Sequence, residues 1–303
     1  MCPENPPHTA VLRAEVLELL APAGRRLLMD CTVGLGGHAE ALLDAAGTDS
    51  RLIGIDADEV NLARAKECLA RFGTRVRLFR ANFADAGEVL AEAGEAKADL
   101  LLADLGVASS QLDDAARGLS FQADGPLDMR LDRSCGRTAG DIVNTMPQDE
   151  LADLIFAYGE ERHSRRIARA IASARREKPI ERTGELARIV SSAMPRTGRT
   201  RPRRGIHPAT RTFQALRIAV NDELGSLERL LANLPDLLAP GARVGIISFH
   251  SLEDRPVKQA FSRLAGQGRA RLLTKKPRCA TVEEVAANPR SRSAKLRAME
   301  WDR

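Results

Sequence analysis

A glycine-rich turn and a carboxylate that follows it are the first features of this chain that could do chemistry. The segment 30–38 reads Asp-Cys-Thr-Val-Gly-Leu-Gly-Gly-His, and Asp56 stands twenty residues after Gly36, at the end of an apolar run. Glycines allow a backbone to approach a ligand closely, and the start of a following helix offers free N–H groups. A carboxylate at the end of the next strand can accept hydrogen bonds from ribose hydroxyls. The pair predicts a site for an adenosine-containing cofactor.

The spacing of the glycines separates two cofactor classes. Dinucleotide sites use G-x-G-x-x-G, in which the helix start binds a pyrophosphate. Here the pattern is G-x-G-G-H, and the third glycine is missing. S-adenosylmethionine has no phosphate, so the turn needs to meet only its methionine portion. The spacing favours S-adenosylmethionine, with a nicotinamide cofactor or a turn without any ligand as the alternatives.

Two further side chains are expected at the same edge of a sheet. Asp104 ends the apolar run 98–105, and His250 follows the apolar run 242–248. Ligands of open α/β sheets bind at the carboxyl ends of the strands. Asp104 is therefore expected near the reacting groups, and His250 could orient a substrate or accept a proton. The alternative for Asp104 is a turn or helix cap, and for His250 a capping or core position.

The elements that must position these groups alternate between strand and helix. Strands are predicted at 26–32, 51–56, 75–83, 98–105 and 242–248, with helical spacing at 38–46, 59–72, 150–157, 165–176, 185–193 and 212–238. Alternation of this kind predicts a doubly wound, mostly parallel α/β sheet, and together with the S-adenosylmethionine site it predicts the Rossmann-like methyltransferase class. Because strands lapse between about 113 and 205, we expect an inserted helical domain at 114–209 within an α/β domain of residues 1–113 and 210–303. The tail after Lys275 is expected to be loop or edge structure.

Composition excludes several classes of protein. The chain has 303 residues, of which 44% are hydrophobic, so it is globular rather than disordered. Its five cysteines form no C-x-x-C pair, and we expect no metal or redox site. No apolar run approaches the roughly 20 residues that span a bilayer, and the start of the chain has no apolar signal region. A cytoplasmic protein with no membrane partner is expected.

Positive charge is concentrated in three runs. The net charge is +5; residues 196–204 hold five arginines and no acid, and residues 162–182 hold eight Lys or Arg against two Glu. Residues 266–303 hold ten Lys or Arg against four acids. Such clusters suit a polyanion, and the segments at 162–182 and 196–204 suggest that the inserted domain recognises RNA. A merely solvated face is the alternative.

Several long motifs in a fixed order resemble one family along almost the whole chain, from His8 to Arg297. They are Gly36-Gly-His, Ser109-Ser-Gln-Leu-Asp, Arg117-Gly-Leu-Ser-Phe, Asp124-Gly-Pro-Leu-Asp-Met-Arg, Tyr158-Gly-Glu-Glu-Arg, Pro208-Ala-Thr-Arg-Thr-Phe-Gln-Ala-Leu-Arg, Ser248-Phe-His-Ser-Leu-Glu-Asp-Arg and Asn288-Pro-Arg-Ser-Arg-Ser-Ala-Lys-Leu-Arg. The chain is similar to the bacterial 16S ribosomal RNA cytosine-N4 methyltransferases, the H-type or MraW family.

The resemblance implies a set of donor-binding residues. Gly36, Gly37 and His38 would line the methionine end, and Asp56 would bind the ribose. Phe83 would flank the adenine, and Asp104 and Gln111 would lie beside the methyl group. One departure touches this set. The family usually has V-S-S-P-Q where this chain has Val-Ala-Ser-Ser-Gln at 107–111, so a proline that would stiffen the loop before Gln111 is absent.

The resemblance also implies the reaction: a methyl group moves from S-adenosylmethionine to the N4 amine of a cytosine near the decoding centre. Asp104 and His250 are the catalytic candidates because of their positions at the sheet edge, whereas the resemblance alone implies only a donor contact for Asp104. The partner would be small-subunit ribosomal RNA or the assembled small subunit; monomer and homodimer both stay open. The alternatives are an amino-methyltransferase acting on another RNA or DNA, and a non-catalytic RNA-binding assembly factor.

One feature of many amino-methyltransferases is missing. They carry an Asp/Asn-Pro-Pro-aromatic tetrad after the fourth strand, whereas this chain has Asp-Leu-Gly-Val at 104–107. An aromatic side chain for stacking on the base must then come from elsewhere. The candidates are Tyr158, Phe121 and Phe249.

Overall fold

The computed structural model describes residues 10–195 and 207–302. The chain forms two compact units. One comprises Met1–Gly106 with Leu224–Arg303, here called the α/β unit, and the other is Val107–Glu223, the helical unit. The basic run at 196–204 falls outside the described residues.

The strands in the described ranges are Leu27–Asp30 (β1), Arg51–Asp56 (β2), Val76–Arg80 (β3), Ala98–Asp104 (β4), Leu238–Ser248 (β5), Ala270–Leu272 (β6), Arg278–Cys279 (β7) and Lys295–Trp301 (β8). The α-helices there are Arg13–Leu20 (α1), Gly37–Ala46 (α2), Glu59–Cys68 (α3), Ala86–Glu92 (α4), Ser109–Asp113 (α5), Ala139–Thr145 (α6), Gln148–Gly159 (α7), Ser164–Glu177 (α8), Thr183–Ala193 (α9), Thr210–Asn221 (α10), Glu223–Leu237 (α11), Ser251–Gly266 (α12) and Val282–Ala287 (α13). Across 10–195 and 207–302, no helix is long and apolar enough to cross a membrane.

The α/β unit is built on one sheet with the strand order β3-β2-β1-β4-β5-β8-β6, and β7 pairs with β8. Neighbours among β1 to β5 are parallel, whereas β8 is antiparallel to its partners. β1 is buried along its whole length, as is typical of a parallel strand covered by helices on both faces. Its carboxyl end and that of β4 lie side by side, so Asp30 and Asp104 share one edge. The predicted doubly wound, mostly parallel class is confirmed.

The prediction that the tail after Lys275 is loop or edge structure is wrong for β8. β8 lies inside the sheet, between β5 and β6. Its sequence, Lys-Leu-Arg-Ala-Met-Glu-Trp, carries charges that suggest an exposed segment. Two of those charges are paired, because Arg297 donates two hydrogen bonds to Asp254 and Glu300 accepts from Arg243 and Arg271. Paired charges can be buried in a strand that composition alone does not reveal.

The helical unit has its own apolar core, to which α7, α8, α9 and α10 all contribute. It begins seven residues before the predicted range 114–209 and ends fourteen residues after it. The reason is packing: Phe213 and Leu216 of α10 are buried in this core, and Val107 and Leu112 pack against it. Helical periodicity predicted the helix at 212–238 but did not show that it is two helices belonging to different units.

Candidate active site

The glycine turn is held by backbone bonds that begin where β1 ends. The Val33 N–H donates to the Ile55 carbonyl in β2 at 2.8 Å, and the Gly34 N–H donates to Asp56 Oδ2 at 2.9 Å. Gly36 precedes α2 with φ of +91°, which favours glycine, and a Cβ there would lie 3.3 Å from Cys68 Sγ. Any larger residue would therefore strain this turn and press on α3.

Asp56 braces the glycine turn through its side chain. Its Oδ2 accepts from the Gly34 N–H and from Asn61 Nδ2 at 3.3 Å, and its Oδ1 accepts from the Asp58 N–H at 2.8 Å. A carboxylate offers about four acceptor positions, so these three bonds leave room for about one more. Burial raises the pKa of Asp56 to about 6, although the three donors oppose that shift. A single additional hydroxyl hydrogen bond is thus the most this carboxylate can accept without losing a partner.

Three titratable side chains with buried, unpaired atoms lie at the ends of β1 and β4 and at the start of α2. Asp30 Oδ2, Asp104 Oδ1 and both ring nitrogens of His38 are buried without a hydrogen-bond partner. His38 Nε2 lies 3.6 Å from Asp104 Oδ2, too long for a good hydrogen bond. Unpaired buried polar atoms typically cost about 1–3 kcal/mol each. Such a concentration of unmet hydrogen bonds is typical of a site built for a polar ligand.

Asp30 is the member of this cluster that sequence reasoning missed. It is 1% exposed, and burial raises its pKa to about 7, with His38 opposing the shift and Asp104 adding to it. Its Oδ1 accepts from the Thr32 N–H at 3.1 Å. The available signal was its position, since it is an acid at the end of a strand directly before the glycine turn.

The end of β4 is fixed from both sides. The Asp104 N–H donates to Thr32 Oγ1 at 2.6 Å, and the Leu105 N–H donates to the Ile247 carbonyl in β5 at 2.9 Å. The side chain of Asp104 is 25% exposed, although its Oδ1 is buried. A carboxylate on a backbone held this firmly is well suited to orient a reacting group.

The loop after Asp104 is shaped by an aromatic ring. Gly106 has φ of +124°, and a Cβ on it would lie 3.1 Å from the ring of Phe249. The half-buried Phe249 therefore packs against the backbone two residues after Asp104. The chain lacks an aromatic residue directly after this acid, and Phe249 brings one there from the end of β5.

His250 stands at the start of α12, where its local role is clear. It is the residue that precedes the first turn, and Glu253 Oε2 accepts from the N–H groups of Phe249 and His250 at 2.8 and 3.4 Å. His250 Nε2 lies 3.2 Å from Glu253 Oε1, in a geometry that does not count as a hydrogen bond. Its catalytic assignment stays a prediction, and its capping position is a sufficient structural reason for its presence.

Comparison with known proteins places the chain in a family. The model of the MraW methylase family matches residues 5–302. The chain belongs to the MraW methylase family. Proteins named Ribosomal RNA small subunit methyltransferase H are similar to it in Syntrophobacter fumaroxidans, with 49% identity over 97% of this chain and 96% of that one, and in Geobacter sulfurreducens, with 51% identity over 97% and 98%. One from Symbiobacterium thermophilum is 48% identical over 96% of each chain.

Two donor-site residues implied by the resemblance to the MraW methylase family stay predictions. Phe83 begins a 3-10 helix, capped by Asn82, and packs half-buried against the core of the α/β unit. Gln111 belongs to the helical unit, where it is buried and its Oε1 accepts from the Ala108 N–H at 2.9 Å. Neither position by itself decides whether the side chain meets the donor.

The stacking candidates for a MraW methylase also separate. Phe121 contacts His207 with ring centroids 4.5 Å apart and Phe213 at 5.0 Å, all within the helical unit. Tyr158 lies on α7, near the end of that helix. Phe249 is the candidate that packs against the loop following Asp104. It is therefore the one placed beside the predicted catalytic acid.

Proposed function

We propose that this protein transfers a methyl group from S-adenosylmethionine to the exocyclic N4 amine of a cytosine in small-subunit (16S) ribosomal RNA. Membership of the MraW methylase family and relatives named Ribosomal RNA small subunit methyltransferase H support the reaction class. The observation that carries the residue-level proposal is the buried, unpaired Oδ1 of Asp104 at the end of β4. It is an acceptor with no partner in the place where a doubly wound sheet presents its substrate.

The residues present fit the methyl donor. S-adenosylmethionine supplies an electrophilic methyl group on a positively charged sulfur. Asp56 keeps acceptor capacity for a ribose hydroxyl, and glycine at position 36 allows the backbone angle that the turn needs, φ of +91°. Asp30, His38 and Asp104 offer unpaired polar atoms close to the same turn. We assign Gly36, Gly37 and His38 to the methionine end and Asp56 to the ribose.

Asp104 and His38 together can deal with the proton that the amine must lose. The N4 lone pair is delocalised into the ring and forms the new N–C bond only as one N–H is weakened. Asp104 Oδ1 accepts that N–H, and the negative carboxylate stabilises the nitrogen as it becomes positive. The bound donor would supply the methyl group and keep the electrons of its carbon–sulfur bond, and the proton of the amine would pass to the carboxylate or to His38, whose Nε2 is 3.6 Å from Oδ2. Nitrogen is then left neutral and methylated.

We propose that the helical unit recognises the RNA. It contains the whole basic run at 162–182, and its exposed residues include Arg166 and Arg169. The substrate would be ribosomal RNA, free or assembled into the small subunit, which places the reaction in the cytoplasm. The donor-binding residues other than Gln111 lie in the α/β unit, so the two tasks fall on different units.

The test uses the full-length protein, methyl-labelled S-adenosylmethionine, and small ribosomal subunits from cells that lack this protein. Digestion of the RNA to nucleosides should reveal N4-methylcytidine, and mapping of ribonuclease fragments should find the label at a single position. Naked small-subunit RNA and duplex DNA of similar length serve as parallel substrates. Label on DNA, or on a base atom other than N4, would contradict the proposal. Donor binding without any label transfer would support the assembly-factor alternative.

A further inference from the structure

Helix α8 of the helical unit has two chemically different faces. Ser164, Ile167, Ala168, Ile171 and Ala172 are buried in the core of the unit. This spacing fills one side of a helix with 3.6 residues per turn and leaves the opposite side in solvent. That opposite side carries mostly arginine.

Arg166, Arg169 and Arg176 form what we call the arginine stripe. They are three and seven residues apart, so they follow one side of the helix, and all three are exposed. At 1.5 Å per residue the stripe is about 15 Å long. Within residues 10–195 and 207–302, none of the three guanidinium groups has an ion pair or a hydrogen-bond partner. Three cations are thus held in a row by a rigid element and are free to bind something else.

Other arginines on α8 show that this freedom is not a general property of the helix. Arg165 lies 3.0 Å from Asp153 and 3.9 Å from Asp149. Arg175 donates to the Val143 carbonyl at 2.7 Å. Each therefore has a partner that accounts for its position.

The surroundings of the arginine stripe define its partner. Glu177 is the one acid within α8, and the exposed Arg162 and Lys178 flank the helix. Exposed Ser173 lies between Arg169 and Arg176 and adds a hydroxyl donor. The guanidinium groups of the stripe are planar and permanently charged, and the stripe contains no apolar side chain. Such a row suits a line of phosphates better than it suits a protein groove.

We propose that the arginine stripe of α8 binds the sugar-phosphate backbone of the RNA strand that carries, or flanks, the target base. The proposal rests on the proposed function and names the surface by which the helical unit meets that substrate. The stripe contributes affinity and orientation without reading sequence, because phosphates are the same at every nucleotide.

The experiment compares two triple variants of the full-length protein. The first, R166Q/R169Q/R176Q, removes the stripe. The second, R13Q/R64Q/K66Q, removes three exposed charges from α1 and α3 of the α/β unit and leaves the stripe intact. R165Q serves as a third variant on the same helix. Binding to small ribosomal subunits is measured as a function of salt, together with KM and kcat for methyl transfer and the donor Kd.

We expect the stripe variant to lose about 100-fold in RNA affinity at about 0.1 M salt. Its plot of log K against log salt should flatten by about two, because each phosphate contact on a single strand contributes about 0.7 to the slope. KM for RNA should rise while kcat and the donor Kd stay within twofold. The control triple and R165Q should change RNA affinity by less than threefold.

Three results would overturn the proposal. The first is an equal loss of RNA affinity in both triple variants, which would mean that net charge alone matters. The second is an unchanged salt slope in the stripe variant. The third is a stripe variant that loses binding only to vesicles of anionic phospholipid, which would make the stripe a membrane-facing surface. If the unaltered protein binds RNA through the stripe but transfers no methyl group, the proposed function is wrong and the proposal for the stripe holds. If the unaltered protein methylates normally and the stripe variant does so with the same KM, the proposal for the stripe is wrong and the proposed function holds.

Discussion

The two units differ in the groups that lack a partner. In the described residues of the α/β unit, Asp30, His38, Asp104 and His250 each have a buried side-chain atom without a hydrogen-bond partner. In the described residues of the helical unit, the buried unpaired side-chain atoms are the hydroxyls of Ser110 and Thr212, and Arg166, Arg169 and Arg176 of α8 are exposed and unpaired.

The difference has an energetic consequence. A buried unpaired group destabilises the fold and is tolerated where a ligand completes it, whereas an exposed arginine costs almost nothing because water solvates it. Changes in the α/β unit should therefore alter both stability and chemistry, while changes to the exposed arginines of the helical unit should alter affinity alone. The predictions below test this contrast.

Removing the helical unit should have the largest effect. Replacing residues 107–223 by a short linker should abolish methyl transfer to ribosomal subunits, because the unit that we assign to RNA recognition is gone. The donor-binding residues of the α/β unit should remain, so calorimetry should find donor Kd within about tenfold of the unaltered value. Loss of donor binding in a deletion variant that still unfolds cooperatively would contradict the division of tasks.

Asp30→Asn should change how stability depends on pH. The folded carboxyl keeps its proton up to about pH 7, whereas in the unfolded chain it is released near the ordinary value of 3.8. The folded state thus binds more protons within this window, and stability falls as pH rises from about 4 to about 7, by at most about 4 kcal/mol.

The Asn variant lacks this titration. Its free energy of unfolding, relative to that of the unaltered protein, should therefore increase as pH rises across the window. Urea unfolding at half-unit steps of pH measures it. A constant difference from pH 4 to pH 8 would show that Asp30 is ionised in the fold and has a partner.

Asp104→Asn separates catalysis from binding. Asn keeps the shape and one acceptor oxygen but removes the charge that stabilises the nitrogen as it becomes positive. Turnover should fall by roughly a hundredfold or more, about 2.7 kcal/mol of barrier, with a smaller change in RNA affinity. Single-turnover rates at saturating donor provide the measurement. Full recovery of the rate under those conditions would make Asp104 a donor-binding residue only.

Asp56→Ala should weaken binding of S-adenosylmethionine by about 1.5–3 kcal/mol, because a charge-assisted hydrogen bond to the ribose is lost. Asn61→Ala is the matched control: it removes one of the three donors to this carboxylate and leaves the acceptor in place. Its effect should be below about 1 kcal/mol. Unchanged affinity in Asp56→Ala, measured by calorimetry on folded protein, would remove this residue from the site and leave it as a brace for the Gly34 turn.

The sequence predicted the part of the fold that follows from local pattern. The runs ending at Asp30, Asp56 and Asp104 are continuous and apolar, and β1, β2 and β4 end at those residues. The glycine turn was predictable because few residues other than glycine adopt its backbone angles. Parallel order then brings the ends of β1 and β4 to one edge, which is why Asp104 could be placed near the turn from sequence alone.

What sequence could not predict depends on partners that are distant along the chain. β8 contains Arg297, whose partner Asp254 lies 43 residues away. The packing of Phe249 on Gly106 joins segments separated by the whole helical unit. Whether an acid such as Asp30 has a hydrogen-bond partner is likewise a three-dimensional property, and no spacing rule reports it.

The position of β8 in the chain also sets the order in which the two units can fold during synthesis. This strand pairs with β5 on one side and with β6 and β7 on the other, and it brings Trp301 into the core, yet it follows every other strand in the chain. Domains fold as units during synthesis, from the amino end onward. The helical unit is one continuous stretch and can fold as soon as it emerges, whereas the sheet that holds the donor site stays open until residues 295–301 arrive. The unit to which we assign RNA recognition should thus complete its fold before the sheet that holds the proposed donor site.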